Sequence, residues 1–302
     1  MRYCDLHCDA LTASGALQVT AERLAAGGCL LQCFAAFVGE GGFARFCLLA
    51  DKYDAMCERE GYHRVLCASD VREDAVNALF TSEGGAFSTL EELEGLYERG
   101  VRMAGFVWNT PTGAGFPNFP DYAGLCAGRV SPSAREGERG LTEFGFAAAE
   151  RMAQLGMIAD VSHGSDRLFA EIASLKRPFL ASHSNAASVQ DRARNLTDAQ
   201  IRTLADCGGV VGLNFCADFL SDDRSEQGQR AALLAHARAI LDAGGEDVLA
   251  IGSDFDGIPA NPWLPDPSHM PCLLQLLADA FGARIAQKAA RDNVLRVLRD
   301  VL

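Results

Sequence analysis

Near its N-terminus the chain reads Asp5-Leu6-His7-Cys8-Asp9. Residues two apart on a β-strand share a face, so His7 and Asp9 are expected to point one way, and Leu6 and Cys8 the other. An imidazole beside a carboxylate at the end of an apolar strand is a ready pair of ligands for a divalent metal. Alone, such a pair is equally a partly buried polar couple in a turn. The chain then repeats the chemistry. Glu83 stands before Gly84-Gly85, His163 ends Asp160-Val161-Ser162-His163, and His183 lies in Ser182-His183-Ser184-Asn185. Asp254 lies in Gly252-Ser253-Asp254-Phe255-Asp256-Gly257. Each closes an apolar run. A catalytic cation takes three or four protein ligands and keeps a position open for water. Here five candidates are present before Asp254 is counted, which suggests two ions. If Glu83 bridges, one ion takes His7, Asp9 and Glu83, and the other takes His163, His183 and Glu83. Mixed imidazole and carboxylate ligands fit Zn2+ best, with Mn2+ or Co2+ as alternatives. Such a pair would hold and deprotonate a shared water and polarise a carbonyl. Asp254 would then be free to take the proton and pass it to a leaving amine.

These residues need elements that bring them to one place. Apolar runs of strand length recur at Tyr3–Asp9, Cys29–Val38, Ala78–Glu83, Val101–Trp108, Met157–His163, Pro178–His183, Val210–Phe215 and Val248–Phe255. They are continuous rather than alternating, as strands buried on both faces are. Helical patterns separate most of them. Ser88-Thr89-Leu90-Glu91 predicts a capping box opening a helix over Leu90–Arg99, stopped at Gly100. Thr142 caps a helix ended by Gly156, and Ser165 opens a short one to Leu175. Thr197-Asp198-Ala199-Gln200 is a second capping box, and Gln227–Ala243 and Ala283–Asp300 are amphipathic. Eight strands alternating with helices predict a single (β/α)8 TIM barrel domain over residues 1–302, and the metal ligands expected at its strand ends would make it one of the metal-dependent hydrolase type. An open doubly wound sheet is the alternative, but no G-x-G-x-x-G follows the first strand. Active sites of such barrels sit at the C-terminal ends of the strands, where every candidate above falls. The Gly- and Pro-rich stretches Asn109–Val130 and Asn261–Pro271 are expected as long loops on that face.

Composition narrows the partners. The 302 residues carry a net charge of −13 with no run of like charge, which argues against nucleic acid or an anionic membrane surface. Eleven cysteines are scattered without a C-x-x-C pair, so a reducing cytoplasm is expected rather than a disulfide framework. No signal peptide or membrane span is visible. Only Lys52, Lys176 and Lys288 are lysines. Many barrel metallohydrolases bridge their metals with a carboxylated Lys on the fourth strand. Here that strand ends at Trp108-Asn109, which leaves a carboxylate, Glu83, as the bridge.

The ordered set of motifs resembles the membrane dipeptidase (renal dipeptidase) family, peptidase family M19, almost end to end. The pieces are Asp5-Leu6-His7-Cys8-Asp9, Glu83-Gly84-Gly85, Gly140-Leu141-Thr142-Glu143-Phe144-Gly145, Asp160-Val161-Ser162-His163, His183-Ser184-Asn185-Ala186, Arg194-Asn195-Leu196-Thr197, Gly252-Ser253-Asp254-Phe255-Asp256-Gly257 and Asp292-Asn293-Val294-Leu295-Arg296-Val297. The resemblance implies a zinc-dependent dipeptidase with a binuclear site. His7 and Asp9 would lie on one metal, His163 and His183 on the other, with Glu83 bridging and Asp254 as proton shuttle. Arg194 matches the family Arg that binds the substrate's C-terminal carboxylate, which a guanidinium fork suits. Tolerance of a D-residue at that position and a homodimer are further family-level expectations. Two departures stand out. Trp108 falls where the family has a His that helps bind the substrate and its tetrahedral intermediate, which puts Trp108 and its neighbour Asn109 on the substrate side. Ala86-Phe87 follows Glu83 where the family often has His. Two other functions compete with dipeptide hydrolysis. One is a binuclear amidohydrolase acting on N-acyl amino acids or small cyclic amides. The other is a metal-binding homologue with weak catalysis.

Overall fold

The computed structural model describes residues 1–302. It has nine strands: β1 (Tyr3–Asp5), β2 (Cys29–Phe37), β3 (His63–Val65), β4 (Asn77–Glu83), β5 (Val101–Gly105), β6 (Ile158–Asp160), β7 (Leu180–Ser184), β8 (Val210–Leu213) and β9 (Leu249–Ile251). All pairings between them are parallel. Strand β1 pairs with both β2 and β9, and β2 pairs with β4, so eight of the strands close into a ring in the order β2, β1, β9, β8, β7, β6, β5, β4. The expected (β/α)8 barrel is the fold. Strand β3 is an addition that pairs only with the start of β4. It lacks the apolar run that marks the others, being made of His63, Arg64 and Val65.

The continuous apolar runs divide their side chains between two cores with a period of two. Leu31 and Cys33 of β2, Leu79 of β4 and Ala250 of β9 fall in a 15-residue cluster inside the barrel, together with Val294, Val297 and Leu298 of the C-terminal helix. That helix therefore plugs the barrel. The alternate residues, such as Phe34 and Ala36, Ala78 and Phe80, and Leu249 and Ile251, join a 63-residue cluster between strands and helices. Both faces of every strand of the ring are dry, which is why their runs read as continuous.

Some expected boundaries move. The first strand stops at Asp5, and beyond it only an isolated bridge joins Cys8 to Phe255. Alternation does not run through this break. Leu6 belongs to the inner cluster and Cys8 to the outer one, rather than both sharing the face opposite His7. The fourth expected strand likewise ends at Gly105, three residues before Trp108. The capping box of the helix at Leu90–Glu98 is shifted by one residue. Thr89 is its N-cap, and Glu92, not Glu91, accepts from Ser88. Thr142, Ser165 and Thr197 cap as expected. Helices at Ala21–Gly27, Gly42–Glu60 and Met270–Phe281 add to the expected set. The last helix is interrupted by a π-helical turn at Lys288–Asp292. Of the two long loops, 109–130 contains a short helix at Tyr122–Cys126 and folds over the barrel mouth, whereas 261–271 packs at the side and ends in a 3-10 turn at Pro267–His269.

His236, on the helix Glu226–Gly244, joins two of the loops that surround the mouth. Its Nδ1 accepts from Ala186 N at 3.1 Å and its Nε2 donates to Leu220 O at 3.0 Å, so only the neutral ring satisfies both. Burial pushes its pKa down to about 4. The unfolded chain then binds the proton more readily between pH 6.5 and 4, and stability must fall as pH drops through that window. The contribution is on the order of 2–3 kcal/mol by pH 4.5. We predict that urea midpoints of the wild type fall more steeply from pH 7 to 4.5 than those of His236→Gln. Parallel declines in the two proteins would refute this role.

Candidate active site

Five strands deliver the ionisable groups to one point. His7 and Asp9 come from the segment after β1, Glu83 is the last residue of β4, and His163 follows β6. His183 lies on β7, and Asp254 follows β9. His7 Nε2 lies 3.5 Å from Asp9 Oδ2, 3.7 Å from Glu83 Oε2 and 4.0 Å from Asp254 Oδ1. Glu83 Oε1 lies 2.8 Å from His163 Nε2 and 3.4 Å from His183 Nε2. The two carboxylate oxygens of Glu83 thus face two different sets of groups. The His163 and His183 Nε2 atoms are 3.0 Å apart, and the His7 ring stacks on the His183 ring with centroids 3.8 Å apart. All six side chains are buried.

The barrel wall also sets which ring nitrogen each histidine presents. Ser182 Oγ donates to Asp160 Oδ2, so its lone pair is left to accept from His183 Nδ1 at 2.7 Å. Asn109 Oδ1 accepts from His163 Nδ1 at 2.9 Å. Both rings therefore turn an unprotonated Nε2 toward Glu83, that of His163 also accepting from Arg194 Nη2 at 3.2 Å. Across the barrel, Asp5 accepts from Ser253 N at 2.8 Å and from Ser253 Oγ at 2.6 Å, and tethers the backbone of His7 at 3.3 Å. Asp254 itself adopts a left-handed backbone, φ 65°, which costs energy for a residue with a side chain. It is held there by its N–H on His7 O and by Asn214 Nδ2 on its Oδ2, at 3.0 Å. Gly257 completes the turn. A Cβ there would stand 2.2 Å from Asp9 Oδ2 and 2.5 Å from Asp254 Oδ1, so no side chain fits.

Electrostatics separate the groups by role. Burial holds the His163 pKa down to about 4, helped by the Arg194 charge, and burial with the nearby His7 holds His183 well below the usual histidine range. Both are neutral imidazoles, the form that ligates metals. Burial also opposes charge on His7, but Glu83, Asp9 and Asp254 outweigh it and bring the ring up to about 10. Burial, and then the charges of Asp9 and Glu83, push Asp254 up to about 7 against the opposing pull of His7. For Glu83, His7 and His163 override burial and hold the carboxyl well below the usual range. Two buried atoms at the centre, His7 Nε2 and Glu83 Oε1, make no hydrogen bond. Buried polar atoms are ordinarily satisfied, so these two call for a cation. The ligand atoms of His7, Glu83 and His183, and those of His7, Asp9 and Asp254, each lie within 4.8 Å of one another. The residues fit a metal.

A family model described as membrane dipeptidase (peptidase family M19) matches residues 5–302. The chain belongs to the membrane dipeptidase family. It is thus a metallo-dipeptidase, a metal-dependent hydrolase acting on the peptide bond. Its architecture is similar to that of a metallopeptidase from Rhodobacter sphaeroides liganded with a phosphinate mimic of the dipeptide L-Ala-D-Ala. The TM-score is 0.86 at 25% identity, covering 100% of this chain and 99% of that one. The dipeptidase AC, also of family M19, gives a TM-score of 0.86 at 26% identity, over 100% of this chain and 98% of that one. In sequence, an uncharacterized Klebsiella pneumoniae protein from the pqqA 5' region is 34% identical over 252 residues, 78% of this chain and 88% of that protein.

The dipeptidase cavity above the cluster has a volume of about 560 Å3. Asp9, Glu83, His163, His183, Arg194, Asp254, Trp108 and Asn109 all line it, and His7 lies just beneath. Arg194 is not a surface ion pair. It is 3% exposed, donates to Ser162 O, to His183 O and, at 3.2 Å, to His163 Nε2, and has no carboxylate partner. Trp108 forms one wall, 5.0 Å from the Phe37 ring and 5.3 Å from the Tyr122 ring, with His163 6.1 Å beyond. An indole offers one N–H donor and no lone pair, so Trp108 cannot exchange a proton.

Sequence reasoning missed Asn214, Ser182 and Asp160 as supports, and Phe37, Tyr122 and Arg45 as lining residues. Asn214 carried a usable signal, a polar residue closing the apolar run of β8, which is the criterion that found His163 and His183. Ser182→Ala removes the acceptor that orients His183. We predict metal affinity about 10–100-fold weaker, as outer-shell losses typically give. Competition with a chromogenic chelator measures it, and unchanged affinity would show that His183 needs no such support.

Proposed function

We propose that this dipeptidase binds two divalent ions, zinc foremost, with His7 and Asp9 holding one, His163 and His183 the other, and Glu83 spanning both. The observation that carries this reading is the pair of unsatisfied buried atoms, His7 Nε2 and Glu83 Oε1, on two sides of one carboxylate group. Donors of imidazole and carboxylate type suit zinc, with manganese and cobalt next. When bound, the ions would supply an activated water and polarise the scissile carbonyl.

The chain's own residues do the rest. Asp254, with its pKa near 7, takes a proton on Oδ1, the oxygen facing His7, and delivers it to the amine of the departing residue. Asn214 keeps the other oxygen turned away. Arg194, buried and without an anion, receives the C-terminal carboxylate of the dipeptide and fixes the register of the peptide bond over the cluster. Trp108 and Asn109 border the substrate, Asn109 also steadying His163. The L-Ala-D-Ala mimic held by the Rhodobacter sphaeroides relative supports tolerance of a D-residue at the C-terminal position. Eleven free thiols support a reducing cytoplasm as its location, and no helix is long and apolar enough to cross a membrane.

The direct test is amino-acid release by zinc-loaded protein from L,L- and L,D-dipeptides, with an N-acyl amino acid alongside. Release from dipeptides is expected. Release from the N-acyl compound alone would move the chain to a different amide hydrolysis. Asp254→Asn is expected to retain its metal content and lose about 100-fold or more in kcat, the range of a lost general acid–base group. A near-normal rate would remove Asp254 from the reaction. Arg194→Ala should weaken kcat/KM for dipeptides more than for dipeptide amides, which lack the carboxylate. Equal losses on both would contradict its assignment.

A further inference from the structure

Only two residues lining the cavity are basic and permanently charged, Arg194 and Arg45. Arg194 is committed in part to two backbone carbonyls and to His163 Nε2. Arg45 lies in the first turns of the helix Gly42–Glu60 that follows β2. It is exposed to the cavity and forms neither a salt bridge nor a side-chain hydrogen bond. Its neighbours on that helix are engaged: Lys52 donates to Leu11 O, and Asp51 and Asp54 pair with Arg99 and Arg64. The carboxylates of the cavity are engaged as well. Asp256 accepts from Gln18 N and Val19 N, Asp218 pairs with Arg224, Asp254 accepts from Asn214, and Asp9 and Glu83 face the histidines. In a chain of net charge −13, Arg45 is the one guanidinium at the cavity without an internal partner.

Its place in the ring gives it a meaning. Going round the barrel from β2, the strand β7 is four places away in either direction, so the segments after them stand on opposite sides of the mouth. Arg194 follows β7 and Arg45 follows β2, with the His and carboxylate cluster between them. A dipeptide with its C-terminal carboxylate at Arg194 and its peptide carbonyl over the cluster must direct its first residue toward the β2 side. A two-residue backbone spans only about 7 Å, so what extends further toward Arg45 is the side chain of that first residue. On this side Phe37 offers an apolar ring for a methylene stem, and Arg45 offers a fork for a carboxylate.

We propose that Arg45 determines side-chain specificity at the first residue, and that this enzyme prefers dipeptides whose N-terminal residue is acidic, glutamyl or aspartyl. The inference rests on the dipeptidase reading above and adds the substrate class to it. The test compares kcat/KM for Glu-Ala, Gln-Ala, Leu-Ala and Lys-Ala in the wild type, Arg45→Gln and Arg45→Glu, with alanine release as the readout. Glu-Ala and Gln-Ala differ only in charge. Their ratio is expected to be about tenfold in the wild type, the scale of one charge-assisted contact, and near one in Arg45→Gln. In Arg45→Glu, Lys-Ala is expected to overtake Glu-Ala. A wild-type ratio near one, or a ratio that both variants leave unchanged, overturns the proposal. Hydrolysis of Leu-Ala and Gln-Ala in the same assay would keep the dipeptidase reading standing in that case. No release from any of the four would overturn both.

Discussion

Three carboxylates, Asp9, Glu83 and Asp254, converge on one imidazole, His7, where each is less than a tenth exposed. Two like charges 4 Å apart repel by about 4 kcal/mol even at an effective dielectric near 20. Such a cluster stands only if positive charge sits in its midst. With protein groups alone, His7 takes that part by holding its proton up to about 10. A divalent cation would serve the same cluster, and the unprotonated Nε2 atoms of His163 and His183 beside it are of a form that suits such an ion. The rest of the structure follows from holding this concentration of charge in place.

Holding it falls to the barrel wall. Every strand of the ring is dry on both faces, so the cluster's supports must be internal to the sheet. Two carboxylate and serine pairs provide them, on opposite sides. Asp5 with Ser253 fixes the backbone under His7 and beside Asp254, and Asp160 with Ser182 turns His183. The backbone strain at Asp254, φ 65°, is tolerated because these contacts and Asn214 over-determine its position. A precise site on a rigid scaffold needs little movement to bind a substrate, which favours catalysis by positioning.

Above the cluster the cavity is polarised from side to side. A buried guanidinium lies on the β7 side, and a free one lies on the β2 side. Between them, Phe37, Trp108 and Tyr122 form an aromatic wall. Trp108 gives this wall an apolar surface and a single N–H donor.

The sequence by itself determined the chemistry and the barrel. Polar residues that end apolar strand-length runs named His163, His183, Glu83 and Asp254, and the continuity of the runs themselves predicted strands buried on both faces. Such signals are local, so they can be read one segment at a time. They failed where a local pattern broke, as at Asp5, where the strand ends and Leu6 and Cys8 part to different cores, and at β3, which has no apolar run at all. Only the tertiary structure decided how the groups meet. That Glu83 turns one oxygen to His7 and the other to His163, that Ser182 relays Asp160 to His183, and that Arg45 stands opposite Arg194 all depend on ring closure, which joins β1 to β9 and β2 to β4. Closure is a long-range property of eight strands at once, and no single stretch of sequence carries it.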